Sequence, residues 1–251
     1  MSPDVTANSL DVLAGERLVS ETAQEVAGTV ATWIEAQSRR ATADHGAFSI
    51  ALSGGSTPRL LNEILAGPEW RERMDWASWY VYFADERACP PDDPASNYHL
   101  AMTTLLSHVP IDPGHVHRMP GERSDLDAAA IEYSAVMAGS LPSGPGGAPR
   151  LDVILLGLGE NGHTASLFPG TPALEVTDRW ATRGLADYEP FDRITLTYPA
   201  INAAAAVAFM VTGAAKHEAL LATARGEVPA SRVHPTDGTL TWFLDAAAAG
   251  A

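Results

Sequence analysis

The sequence predicts an α/β protein: a Rossmann-like, doubly wound, mostly parallel sheet with helices on both faces. Three observations predict it. Short apolar runs alternate with segments of helical periodicity along the chain. The run LDVILL (151–156) opens directly into the glycine-rich turn GLGENG, as the carboxyl end of a buried strand does. An earlier run, FSIALSGG (48–55), is stopped by paired glycines and followed at once by a helix start.

Residues 15–40 place Leu18, Val19, Val26, Val30, Trp33 and Ile34 at helical spacing and predict one long helix. After the strand at 48–55, STPRLLNEIL predicts a helix. Ser56 or Thr57 serves as its N-cap, and Pro58 sits in the first turn, where the missing N–H is not needed. Residues 79–84 predict a strand that ends in charge, and 97–106 a helix. HVHRM (115–119) reads as a short strand or extended segment, 122–137 as a helix and 141–149 as a flexible loop. LDVILLGLG, RITLTYP (193–199) and AVAFMVTG (206–213) are further strands. A helix, AAKHEALLATAR, and a last strand, GTLTWFLD, follow. Because the strand after the loop at 141–149 resembles the earlier ones, that loop is expected as an insertion in one sheet. A single domain, residues 1–251, is expected.

Sixteen Lys and Arg against 31 Asp and Glu give a formal net charge of -15, which argues against non-specific binding to nucleic acid or an anionic membrane. An anionic small substrate would need a local basic pocket. Hydrophobic residues make up 46% of the chain, enough for a sizeable core. The single cysteine, Cys89, excludes an internal disulfide and fits a reducing compartment. No apolar stretch approaches membrane-span length, and the N-terminal segment lacks the basic and apolar blocks of a signal peptide. A soluble cytoplasmic protein, monomer or weak homodimer, is expected.

Gly157, Gly159 and Gly162 form a literal G-x-G-x-x-G after a strand. A dinucleotide site also needs a long helix after the third glycine and an acidic residue at the end of the next strand. HTASLFPGTP follows instead, and Pro169 with Pro172 cuts any helix short. A structural turn with a capping histidine explains the glycines. It does not explain why Glu160, Asn161, His163, Thr164 and Ser166 gather there. A histidine held at the carboxyl end of a strand is a candidate general base.

Ser53, Gly54 and Gly55 open a second strand-to-helix turn, where backbone N–H groups and a helix N-terminus suit a phosphate, and Ser56 and Thr57 add hydroxyls. A glycine turn with an ordinary cap is the plainer reading. Asp85 and Arg87, at the end of the strand at 79–84, are either solvated charge or ligand groups, with Arg87 suited to bidentate phosphate binding. Lys216 is the only lysine in the chain. A cation at a helix N-terminus opposes the dipole, which favours an anion there over a plain surface role. His115 and His117 lack the partners of a zinc set, His217 reads as a helix-surface residue, and His45, His99, His108 and His234 carry no constellation. No G-x-S-x-G elbow occurs.

SGGSTP, FADER with a downstream SNYHLA, GLGENGHTASLFPG, TLTYPAIN, VTGAAKHEAL and LTWFLD, in that order, resemble the 6-phosphogluconolactonase family over nearly the whole chain. The family is similar in fold to glucosamine-6-phosphate deaminases and ribose-5-phosphate isomerases. The resemblance implies hydrolysis of 6-phospho-D-glucono-1,5-lactone to 6-phosphogluconate in the oxidative pentose phosphate pathway, with no metal or organic cofactor. His163 matches the general base. The cluster from Gly54 to Thr57, with Arg87 and Lys216, matches the phosphate-binding side. Asp85 is expected to orient water, sugar hydroxyls or Arg87, and Gly159 to help hold the reacting carbonyl. Asn161 stands where many relatives carry Asp, which puts a direct carboxylate–histidine pair in doubt. Phe168 stands where the deaminases carry Glu. The rival readings are a sugar-phosphate isomerase or deaminase of the same fold and a non-catalytic sugar-phosphate sensor.

Overall fold

A computed structural model describes residues 9–251. Residues 1–8, part of the N-terminal segment read above for targeting signals, lie outside the described residues. The main sheet contains β1 (Glu16–Ser20), β2 (Phe48–Leu52), β3 (Trp79–Phe83), β5 (Val153–Leu156), β8 (Ala206–Val211) and β9 (Thr239–Asp245). Its order is β1-β9-β8-β5-β2-β3, and every pairing is parallel. A second, antiparallel sheet of β4 (Asp85–Arg87), β6 (Ala181–Leu185) and β7 (Asp192–Leu196) has the order β4-β7-β6. The helices are α1 (Ala23–His45), α2 (Ser56–Ala66), α3 (Pro68–Arg73), α4 (Asn97–Ala101), α5 (Leu126–Ser140), α6 (Tyr198–Asn202), α7 (His217–Ala224) and α8 (Ala246–Ala249).

β2, β5 and β8 are buried at every position, as strands covered on both faces must be, and their sequences are accordingly apolar but for Ser49. The chain advances from β2 outward to β3, but from β5 the other way, to β8 and β9. Right-handed crossovers therefore place α1, α2 and α3 on one face and α6 and α7 on the other. α1 packs against α2 accordingly. Between β2 and β5 the strand order reverses. The turns leaving these two strands diverge there and open a crevice at their carboxyl ends. Large rings fill the interior: Phe209 stacks on Trp242 at 4.0 Å, and Phe48 meets Trp79 edge to face at 4.9 Å. No helix among the described residues is long and apolar enough to cross a membrane.

The structure departs from the sequence expectations at several places. Residues 15–40 are not one helix. Residues 16–20 form edge strand β1 against β9, and α1 starts only after Thr22, whose hydroxyl accepts from the Glu25 N–H at 3.2 Å. Leu18 and Val19 sit in phase with the helix by coincidence. Gly55, with φ of 113°, is the N-cap of α2; Ser56 is its first residue, and no side chain caps it. Residues 85–87 are a strand, and β7, read as part of the main sheet, belongs to the second sheet with β6. Residues 102–106 continue α4 as a π-helical turn, and α5 begins at Leu126 behind an Asp125 cap. His45 does have a partner: its Nε2 meets Asp152 at 3.0 Å, at the amino end of the sheet, far from the crevice.

Glu86 joins the second sheet to the segment that carries α4. Its carboxylate is 3% exposed and accepts from the backbone N–H groups of Arg87, Asn97 and Tyr98 and from Ser96 Oγ, all within 2.9 Å. Burial pushes this carboxyl above its usual range, and the four donors pull it back. Removing the acceptor strands those donors, so Glu86→Ala is expected to cost roughly 3 kcal/mol or more in urea unfolding, with Glu86→Gln costing less. Equal stabilities of the wild type and Glu86→Ala would contradict this.

Candidate active site

The turn after β2 forms one wall of the crevice. Ser53 Oγ donates to the Leu155 carbonyl and so ties this turn to β5. Gly54 lies against the Asn97 amide: a Cβ there would fall 1.8 Å from Asn97 Oδ1, so only glycine fits. Thr57 is buried, and its hydroxyl meets the Thr212 hydroxyl at 2.7 Å, whereas Ser56 is exposed at the helix start.

The turn after β5 forms the opposite wall and carries His163. The Gly159 N–H donates to the His163 carbonyl at 2.8 Å and the Gly162 N–H to the Gly159 carbonyl at 2.9 Å, which curls the turn on itself. Both amides are thereby used inside the turn. A Cβ on Gly159 would sit 2.0 Å from His163 Nδ1, so the imidazole lies directly on the backbone of its own turn. Phe168 stacks on the other side at a centroid distance of 3.9 Å. Asn161 Oδ1 accepts the His163 N–H at 3.0 Å and faces Nδ1 at 2.6 Å, while its Nδ2 donates to Asp187 at 2.8 Å. The amide orientation makes Nδ1 the protonated nitrogen and leaves Nε2 with a free lone pair. Nε2 makes no hydrogen bond among the described residues.

Burial is the largest influence on this imidazole and holds its pKa down to about 4. Asp85 and Asp187 pull it upward, and Lys216 and Arg193 push it further down. His163 is therefore neutral across the physiological range.

The second sheet closes the site. Asp85 is 7% exposed; its Oδ1 accepts from Asn97 Nδ2 at 3.0 Å and its Oδ2 from Ser166 Oγ at 2.6 Å. Arg87 on β4 and Arg193 on β7 are directly opposite in register, two like charges on one face. Arg193 is 1% exposed, and its Nε and Nη2 lack partners; Arg87 Nε is likewise buried without one. Desolvation lowers the Arg193 pKa and Asp85 opposes that shift.

One cavity of about 210 Å³ gathers Ser53, Gly54, Gly55, Asp85, Arg87, Gly159, His163 and Lys216. Lys216 caps the start of α7, half-buried, its side chain without a hydrogen bond or ion pair among the described residues. Ser56, Thr57 and Asn161 do not line the cavity; Asn161 supports His163 from behind. Asn97 and Tyr188 also line it and were missed, as were Asp187 and Arg193 nearby, while Ser166, noted in the polar cluster of its turn, bonds Asp85. Only Arg193 had a signal: a charged residue opening the otherwise apolar RITL run.

The family model described as glucosamine-6-phosphate isomerases/6-phosphogluconolactonase matches residues 21–242. A 6-phosphogluconolactonase of Nostoc sp. is 44% identical over 207 residues, covering 81% of this chain and 84% of the relative. The probable 6-phosphogluconolactonase 1 of Arabidopsis thaliana is 38% identical, covering 92% of this chain and 91% of the relative. Among solved structures, a 6-phosphogluconolactonase from Trypanosoma brucei superposes with a TM-score of 0.82 at 28% identity, covering 94% of this chain and 98% of that one. The chain belongs to the family of glucosamine-6-phosphate isomerases and 6-phosphogluconolactonases.

Proposed function

We propose that this chain is a single sugar-phosphate domain that hydrolyses 6-phospho-D-glucono-1,5-lactone to 6-phospho-D-gluconate, in the cytoplasm and as a monomer or weak homodimer, with His163 as general base. One observation carries this reading: a neutral imidazole with an open Nε2 shares one cavity with Lys216 and Arg87. The substrate phosphate docks between these cations and the turn at Ser53, Gly54 and Gly55, with the free N–H groups at Ser56 and Thr57 behind it. Nε2 takes a proton from water as the water oxygen adds to the lactone carbonyl carbon. The oxyanion forms in the positive field of Lys216, Arg87 and Arg193, and the imidazolium in the negative field of Asp85 and Asp187. Collapse breaks the ring C–O bond, and His163 returns the proton to the departing ring oxygen. The carboxylic acid then ionises. Phe168 places an apolar ring on the base, which suits this chemistry and offers no acid for ring opening of an amino sugar.

The assay is lactone hydrolysis on freshly generated substrate, corrected for spontaneous opening. His163→Ala is expected to lower kcat by roughly 10²–10⁴-fold; an unchanged enzymatic rate would sink the assignment. Lys216→Met is expected to raise KM by roughly tenfold or more, since it removes a charged phosphate contact. A KM equal to that of the wild type would place the phosphate elsewhere. Protonation removes the base, so kcat/KM should hold as pH falls through the ordinary imidazole value of 6.5 and drop only as it approaches about 4. An acid limb near 6.5 would show that the imidazole is not desolvated as described.

A further inference from the structure

Asp187 takes no direct part in the reaction above. It lies exposed on the hairpin loop between β6 and β7, which is closed by the Ala186 N–H donating to the Phe191 carbonyl at 2.7 Å. Its carboxylate accepts from Asn161 Nδ2 at 2.8 Å, and the same amide presents Oδ1 to His163 Nδ1 at 2.6 Å. A neutral amide alone orients an imidazole but supplies no charge to an imidazolium. Here the charge stands one side chain further out, on a different element. The next hairpin residue, Tyr188, lines the cavity with its ring 6.3 Å from the imidazole and 5.8 Å from Phe168. Two consecutive hairpin residues thus brace His163, one through Asn161 and one by its ring.

The charged groups facing the imidazole are Asp85 from β4, Arg193 from β7, Lys216 from the start of α7 and Asp187 from the hairpin. Asp85 spends its carboxylate on Asn97 and Ser166. Asp187 is the one carboxylate, among the described residues, hydrogen-bonded to the group that holds Nδ1.

We propose that Asp187 is a positioning residue: acting through the Asn161 amide, it fixes His163 as the Nδ1–H tautomer and supplies the negative charge behind the base. The proposal rests on His163 being the base of the reaction proposed above. The tautomer of a catalytic histidine is set by the partner of its second nitrogen, and here that partner is itself held by a carboxylate.

Asp187→Asn keeps an acceptor for the Asn161 amide and removes only the charge. Its kcat is expected to fall roughly three- to tenfold, with KM within about twofold of the wild type. The His163 titration, followed by NMR on the full chain, should move to lower pH. The double variant Asn161→Asp/Asp187→Asn exchanges donor and acceptor and sets the carboxylate directly on Nδ1. It should recover kcat and move the titration above the wild-type value. Titration and kcat both unchanged in Asp187→Asn overturn the proposal, as does a double variant that fails to raise the titration. The NMR titration needs no turnover. A wild type without lactonase activity but with the expected NMR shifts would therefore overturn the lactonase reading and leave the Asp187 link standing.

Discussion

The arrangement of the cavity depends on one buried carboxylate, that of Asp85. Its two oxygens reach segments distant in sequence: Asn97, on whose amide Gly54 rests, and Ser166, three residues after His163. The turn after β2 and the turn after β5 leave neighbouring strands and diverge at the switch point. Asp85, entering from the second sheet, holds them at a fixed separation. Both partners are neutral donors, so the charge itself is balanced by surrounding cations, Arg193 among them. Burying a carboxylate without a cation nearby is costly. Asp85 and the Arg87–Arg193 pair are thus mutually required: each sign makes the other tolerable below the surface.

The same balance governs the imidazole of His163. Burial and two cations hold the imidazole neutral but weakly basic. An anion seated at Lys216 cancels part of the positive field. An anion held there would raise the basicity of the imidazole. The glycine-lined backbone under the imidazole and the Phe168 ring above it confine the ring plane, so this gain is not lost to rotation.

Much of the main sheet was legible in the sequence, because strands buried on both faces must be apolar throughout and are cut off by glycine turns at their carboxyl ends. β2, β5 and β8 carry that mark, Ser49 of β2 aside. β1 does not: ERLVS is a half-exposed edge strand whose apolar residues continue the phase of α1. DER and ATRGL become strands only because β7 pairs with both, a non-local fact that no local pattern records. In the site, the residues on the two glycine turns were readable because the turn chemistry is local. Asn97, Asp187 and Arg193 were not, since each acquires its role from a partner on another element, as Asp187 does from Asn161, 26 residues away.

The composition of the basic residues has a chemical consequence of its own. Fifteen of the sixteen Lys and Arg are arginines, and guanidinium groups stay protonated and are poor nucleophiles. The one side-chain amine in the chain, Lys216, is half-buried in the cavity. Acylating and carbonylating small molecules that decorate lysine-rich surfaces find no such amine on the outside of this protein. The only ε-amino group they can reach stands inside the cavity that also holds His163.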